Sequence, residues 1–354
     1  MARRMTRSQL EQLALTLEPS IREAFLQAVR GARDGVALQQ LAALVATGQV
    51  DSIARALGIT SDRYAGLAEA IRTAYLRSGQ LTAAEVPPLL SGPTIGPWQP
   101  TRGMRVQWSF DITNPMAERW VREHSSRLVT GIVQDQREAI RIVLGRGMEL
   151  GQNPRQTALD IVGRVAGGRR SGGIVGLTSQ QAQFVMNARD ELSDPSRMAD
   201  YFSRQRRDKR FDGTVRKAMR EGRALSQEQI DRITGRYADR LLQYRGEVLA
   251  RTEALTSMNA AREEAYRQAI EAGDLSPESV TGTWQASGDR RTRDTHAALH
   301  GQERAFGQPF ESPGGALMRF PGDTSMGAGP EETIQCRCVK VFRVDYAAEA
   351  RRAA

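Results

Sequence analysis

The hydrophobic pattern of this chain changes its period once, and that change decides the fold class. Through LEQLALTL, IREAFLQAV, ALQQLAALVATG and YAGLAEAIRTAYLRSG, apolar residues return every three or four positions. The same spacing runs through TGIVQDQREAIRIVLGRGMELG and from Ser226 to Ala272. Such spacing lines one face of a helix. Past Asp274, TGTWQA and IQCRCVKVFRV alternate instead, which is the period of a strand with one buried face. The expected fold class is therefore α+β: mostly helical N-terminal and middle regions, then a small C-terminal domain of helices packed on a short antiparallel sheet.

Punctuation divides these blocks. Gly31, Gly35, Gly48 and Gly79 read as helix stops, and Asn153 before Pro154 reads as a cap followed by the first helical residue. PPLLSGPTIGPWQP (Pro87 to Pro100) concentrates Pro and Gly and reads as a boundary. The longest helical pattern reads as interrupted around Arg251 and Thr252, and the tail AAEARRAA as polar and frayed. These signals give a helical region over 1–92, a linker over 93–111, a middle helical region over 112–225, a motif domain over 226–346 and a tail over 347–354. GGRRSGGIVG (Gly167 to Gly176) has glycine spacing reminiscent of a phosphate-cradling loop. It lacks a Gly-Lys-Ser/Thr ending and a preceding strand, so it reads as a flexible helix connector.

Charge is unevenly placed. The chain carries 50 Lys+Arg against 41 Asp+Glu, a formal net charge of +9. The segment 201–223 alone has nine basic residues (Arg204, Arg206, Arg207, Lys209, Arg210, Arg216, Lys217, Arg220, Arg223) against three acidic ones. Such a cluster attracts phosphate backbones without reading sequence. The alternative is a solvated face or a dock for an acidic protein. No apolar run reaches the roughly 18 residues of a membrane span, and MARRMTRSQLEQ lacks the apolar core of a signal peptide, so a soluble protein made in the cytosol is expected.

The C-terminal third carries the unusual polar residues. Leu249-Ala250-Arg251-Thr252-Glu253 is followed by Asn259, with Thr252 read as a helix cap. Trp284 then leads into Asp289-Arg290-Arg291-Thr292-Arg293-Asp294-Thr295-His296, read as strand, tight loop and Asp289-capped helix. Asp323 follows in Pro-Gly-Asp, and the set closes on Gln335-Cys336-Arg337-Cys338.

These pieces, in this order, resemble the phage Mu F-like minor head proteins, also called phage head morphogenesis proteins. The likeness is close from about Tyr244 to Val344 and looser from about Val129, and Gln335 stands where relatives often have Asn. The resemblance implies a virion component present in few copies at the portal-proximal interior of the head, assisting DNA packaging or ejection. It implies partners among the portal, other head or scaffold proteins and phage DNA, the last without sequence preference, and production in the host bacterial cytoplasm. It marks Arg251, Thr252, Glu253, Asn259, Trp284, Asp289, Arg291, Arg293, His296, Asp323, Cys336 and Cys338 as motif positions without assigning chemistry. The N-terminal helices are the expected portal contact, because the motif domain reads as complete without them.

The residues themselves leave alternatives open. A disulfide between Cys336 and Cys338 is disfavoured, since their Cα atoms in an extended chain lie near the upper end of the usual span. On a strand, Ile334, Cys336, Cys338, Phe342 and Val344 would share one face, and two small thiols there can simply fill a core. Alternatively Cys336, Cys338 and His296 could hold zinc with Asp289 or Asp323, His300 being a substitute. No other cofactor is called for. A hydrolytic or nuclease-like site would use Asp289, His296 and Glu253, with the arginines clamping phosphate. Against it, Asp289 as a cap and Arg251 with Glu253 in a network between helix and sheet need no turnover, and the reading is of a protein that is not an enzyme. A plain DNA-binding module is a further alternative. An appended ADP-ribosyltransferase would need Glu-x-Glu, and no two glutamates are two apart. His124, beside Trp120, reads as packing or surface.

Overall fold

The computed structural model describes residues 4–85 and 109–353 of the chain. The Pro/Gly-rich boundary from Pro87 to Pro100, and most of the expected linker, lie outside the described residues; Phe110, at the linker's end, is buried.

The N-terminal pattern folds as α1 (Arg7–Asp34), α2 (Leu38–Thr47), α3 (Val50–Ala56) and, after a short 3-10 turn, α4 (Ala65–Ala83). Gly35 and Gly48 end helices as expected, Gly48 with a left-handed φ of 68° and its N–H on the Val45 carbonyl. Gly31 and Gly79 do not. Both lie inside helices, and Gly79 is there for close approach: a Cβ would meet the Phe110 ring at 2.5 Å.

Asn114 caps α5 (Pro115–Glu149) and Asn153 caps α6 (Pro154–Val162), each side chain accepting a backbone N–H two residues on. The glycine-rich run that follows is not a flexible connector. It forms the hairpin of β1 (Arg164–Ala166) and β2 (Arg169–Ser171), then a tight turn into buried Ile174, Val175 and Leu177. Gly172 and Gly173 have φ of 75° and 76°, and a Cβ on Gly172 would lie 2.7 Å from the Gly235 Cα. Glycine is required there by backbone packing and sign of φ.

Helices α7 (Ser179–Ser193), α8 (Met198–Tyr201) and α9 (Asp212–Arg220) precede α10 (Gln227–Glu271), which runs 45 residues without a break. The expected interruption at Thr252 is absent because its hydroxyl bonds back to the Val248 carbonyl at 2.8 Å, satisfied within the helix rather than capping a new one. The C-terminal part is β3 (Val280–Gln285), α11 (Asp294–Leu299), β4 (Glu303–Ala305), β5 (Phe310–Glu311), β6 (Leu317–Met318), α12 (Pro330–Thr333), β7 (Val339–Val344) and α13 (Tyr346–Ala353). The tail is thus helical, and buried Glu349 anchors it by accepting from the Ser276 N–H and hydroxyl.

The chain forms two compact units built from non-contiguous segments. The first comprises Met1–Ile21, Glu69–His124 and Val248–Ala354. Its sheet is antiparallel with order β4-β3-β7, Gly282 opposite Phe342 and Trp284 opposite Lys340. One core cluster joins Tyr75 and Ala83 of α4, Phe110, Ala117 and Val121 of α5, Ala260, Ala261 and Ala265 of α10, and Phe320. Fully buried Arg262 reaches Glu85 at 2.5 Å and Thr82 at 3.1 Å. The C-terminal motif region is therefore not complete without the N-terminal block: residues just after α4 neutralise a charge on α10, and α4 itself fills the core.

The second unit comprises Arg22–Ala68 and Ser125–Glu247. Its interior holds a hydrogen-bonded ionic network in which Arg189 spans Asp160 and Asp231 at 2.8 and 2.6 Å and Arg164 joins both. Asp239 of α10 accepts from the Ser171 hydroxyl and the Gly172 N–H, tying the hairpin to the long helix.

Candidate metal centre

Beneath the sheet of the first unit, three soft or borderline donors meet. His296 Nδ1 lies 3.5 Å from Cys336 Sγ and 3.4 Å from Cys338 Sγ, and all three side chains are buried. Their donor atoms fall within 4.8 Å of one another. The walls are Trp284, Leu299, Phe310 and Met318, with the Trp284 ring edge-on to His296 at 5.3 Å between centroids. On the far side of the imidazole, Nε2 sits 2.8 Å from Glu332 Oε2. Glu332 is itself fixed, one oxygen taking the Thr295 hydroxyl at 3.0 Å and the other the Ser312 hydroxyl at 3.1 Å. The Cys338 thiol is drawn to lower pKa, first by the hydrogen bond with Cys336 and then, against its burial, by His296; Cys336 is pushed up by that same sharing and by burial.

The two cysteines are not on a strand. Gln335 takes a left-handed φ of 57°, which breaks the alternation, and β7 begins only at Val339. Ile334 consequently turns out to 44% exposure, while Cys336 and Cys338 both face the pocket from a loop and Phe342 joins a separate cluster with Tyr266 and Val280.

That loop is tied down by residues scattered over some forty positions, from Thr252 to Arg293. Thr252 accepts the Gln335 N–H at 2.9 Å, and Arg293 donates to the Ile334 carbonyl at 2.5 Å. Asn259 donates to the Cys338 carbonyl and accepts the Lys340 N–H, both at 3.2 Å, and donates also to the Pro321 carbonyl. Asp289 takes both arms of Arg337, at 2.5 and 2.6 Å. The recurring polar residues of the C-terminal third thus converge, most of them through backbone contacts, on one Cys-Arg-Cys loop. Residues 209–341 match the family described as phage Mu protein F like protein. Over these residues the chain is similar to the phage Mu F-like family. The match spans a little over a third of the chain, from the basic segment into β7. No curated protein and no solved structure matches it.

Other motif residues of the Mu F-like region stand apart from the loop. Asp289 is not a helix cap: α11 starts five residues later, and Asp289 instead turns its own loop by accepting the Arg291 N–H. Its carboxylate is held far below the ordinary range, first by Arg337. Arg291 is exposed. Arg251 pairs with Glu18 of α1 at 3.3 Å, and Glu253 with His124 of α5 at 2.5 Å. His124 stacks on Trp120, and Trp120 on Tyr75. The expected network between helix and sheet at Arg251 and Glu253 is therefore one between helices. Neither acid proposed as a fourth zinc ligand faces the cluster, since Asp289 is held by Arg337 and Asp323 by Arg319 and the Ser325 N–H. His300 lies just past the end of α11, its Nδ1 accepting the Ala286 N–H. The proposed hydrolytic trio is not assembled: His296 is with the cysteines, Glu253 with His124 and Asp289 with Arg337. Glu332 is the participant that sequence reasoning missed, because no local pattern ties it to His296, far earlier in the chain.

The basic segment of the second unit is largely neutralised locally. Arg204 pairs with Glu191, Arg207 with Asp212 and Arg210 with Asp208, each in bidentate or near-bidentate geometry. Arg206 lies 3.4 Å above the Tyr244 ring. Arg216 and Lys217 are exposed with long pairings of 3.7 and 3.8 Å, and Lys209 is exposed. A separate cleft of the same unit, about 960 Å³, is lined by Arg30, Arg33, Arg170, Arg210, Arg236 and Arg240 against Glu23, Asp34 and Asp239. With Asp208, which pairs with both Arg210 and Arg240, four acids stand against the six arginines and leave the surface modestly positive.

Proposed function

We propose that this Mu F-like chain is a minor head protein acting at the portal-proximal interior of a phage head, where it assists DNA packaging or ejection. The family match over residues 209–341 carries the reading. It is supported by the form of the motif, whose residues bond to backbone and to each other and so build a rigid module rather than a set of free catalytic groups. Among the described residues no helix is long and apolar enough to cross a membrane. The arginine-lined cleft and the exposed Lys209, Arg216 and Lys217 favour contact with phosphate backbones, which needs charge and no base readout.

The test uses the full-length chain and the purified portal oligomer of the same phage. Saturable co-sedimentation with the portal at physiological salt is the expected result. Failure to bind the portal, together with binding to the assembled capsid shell, would move the protein away from the portal vertex.

A further inference from the structure

We propose that His296, Cys336 and Cys338 bind one zinc ion, which serves as a structural staple of the C-terminal module. The donor set is the first argument. Two sulfurs and an imidazole nitrogen within 4.8 Å of one another form a soft set that favours zinc over calcium, magnesium or manganese. Charge is the second. The cluster sits in an apolar pocket walled by Trp284, Phe310 and Met318, where two thiolates alone would be costly. A dication with two thiolates and a neutral histidine sums to zero, and each thiol gives up its proton as its sulfur is bound.

The supporting shell is the third argument. Metal-bound histidines usually rest their other ring nitrogen on a carboxylate or carbonyl, which sets ring orientation. Here His296 turns Nδ1 to the sulfurs and Nε2 to Glu332, itself pinned by Thr295 and Ser312. Simple core packing of two thiols requires neither a buried carboxylate behind the histidine nor four tethers on the loop. The ion would join α11 to the loop before β7, closing a segment of some forty residues built of short strands, turns and the four-residue α12. A neutral water completes the tetrahedron, since the three protein donors leave one position open.

Elemental analysis and cobalt substitution of the full-length chain test this. One equivalent of zinc per chain is expected after purification without chelator. Cobalt in its place should give the intense visible bands of a tetrahedral ion and the sulfur-to-cobalt charge transfer of two thiolates. Cys336→Ser, Cys338→Ser and His296→Gln should each lose the metal. Glu332→Gln should keep the fold and weaken zinc binding by about 10- to 100-fold. If the cysteine variants fail to fold, competition of the wild type against a chelator of known affinity still gives the answer. Protein free of zinc that takes up no cobalt, whether its thiols are reduced or joined as a disulfide, would overturn the assignment, as would a histidine variant holding stoichiometric metal.

Discussion

Lys340→Met keeps most of a buried stem and removes its ammonium, and the structure sets what should follow. Lys340 is fully buried on β7, its Nζ 2.7 Å from Glu263 Oε2, 3.0 Å from the Arg319 carbonyl and 4.8 Å from the centre of the Phe342 ring. The stem fits because β3 has Gly282 alongside it, where a Cβ would overlap Lys340 Cε. Removing one member of a buried pair typically costs about 3–5 kcal/mol, because the other charge is left without compensation. Glu263 can escape part of that cost by binding a proton, and methionine retains contact with the rings, so a loss of about 3 kcal/mol is expected at neutral pH. Replacing both partners, as Lys340→Met with Glu263→Leu, should recover most of it, so that the double variant loses far less than the sum of the two single losses and the double-mutant cycle shows a coupling above about 2 kcal/mol.

The pH dependence has a definite sign. Burial raises the Glu263 carboxyl above its ordinary value, with Lys340 opposing. A carboxyl raised in the folded state stabilises the fold below its unfolded pKa and loses that contribution as pH climbs through the folded one. The deficit of Lys340→Met should therefore grow as pH rises from the ordinary carboxylate range through neutrality. Urea unfolding across that range measures it. Additive losses in the cycle, or a deficit that does not change with pH, would refute the pairing argument.

Three further outcomes follow from the same structure. Glu85→Ala strands the buried Arg262 guanidinium and should cost about 3–5 kcal/mol in thermal or urea unfolding; a loss under about 1 kcal/mol would mean that the region after α4 is not part of the first unit. Gly173→Ala places a Cβ against the Gly163 backbone at a φ of 76° and should destabilise by at least about 2 kcal/mol, whereas an unchanged melting temperature would restore the flexible-connector reading. Lys209→Gln, Arg216→Gln and Lys217→Gln together should flatten the salt dependence of duplex binding by about 0.9 in log–log slope for each phosphate no longer neutralised, and an unaltered slope would assign DNA binding to the cleft or elsewhere.

The helical body is legible from periodicity alone because helices with one buried face repeat their apolar residues locally. The caps at Asn153 and Gly48 are legible for the same reason. Local pattern makes Gly79 a stop and the Gly172-Gly173 pair a connector, whereas Gly79 admits Phe110, Gly172 the α10 backbone at Gly235 and Gly173 the backbone at Gly163. Thr252 and Asp289 look like caps because local pattern offers no other role, yet each is occupied by the loop before β7. IQCRCVKVFRV alternates like one strand, but a left-handed Gln335 divides it, in a loop that the folded contacts of Thr252 and Arg293 help to hold. The buried pairs Arg262–Glu85 and Lys340–Glu263 have no local signature, because each joins residues far apart along the chain. The meeting of His296 with Cys336 and Cys338 is foreseeable from residue types, while Glu332 behind the ring is not.

The head assignment is tested most directly by quantitative mass spectrometry of gradient-purified, nuclease-treated particles of the parent phage. The chain should remain with the particles in few copies, in a fixed ratio to the portal rather than to the capsid lattice. Its absence from mature particles and from proheads alike, or a copy number scaling with the lattice, would contradict a portal-proximal minor head protein.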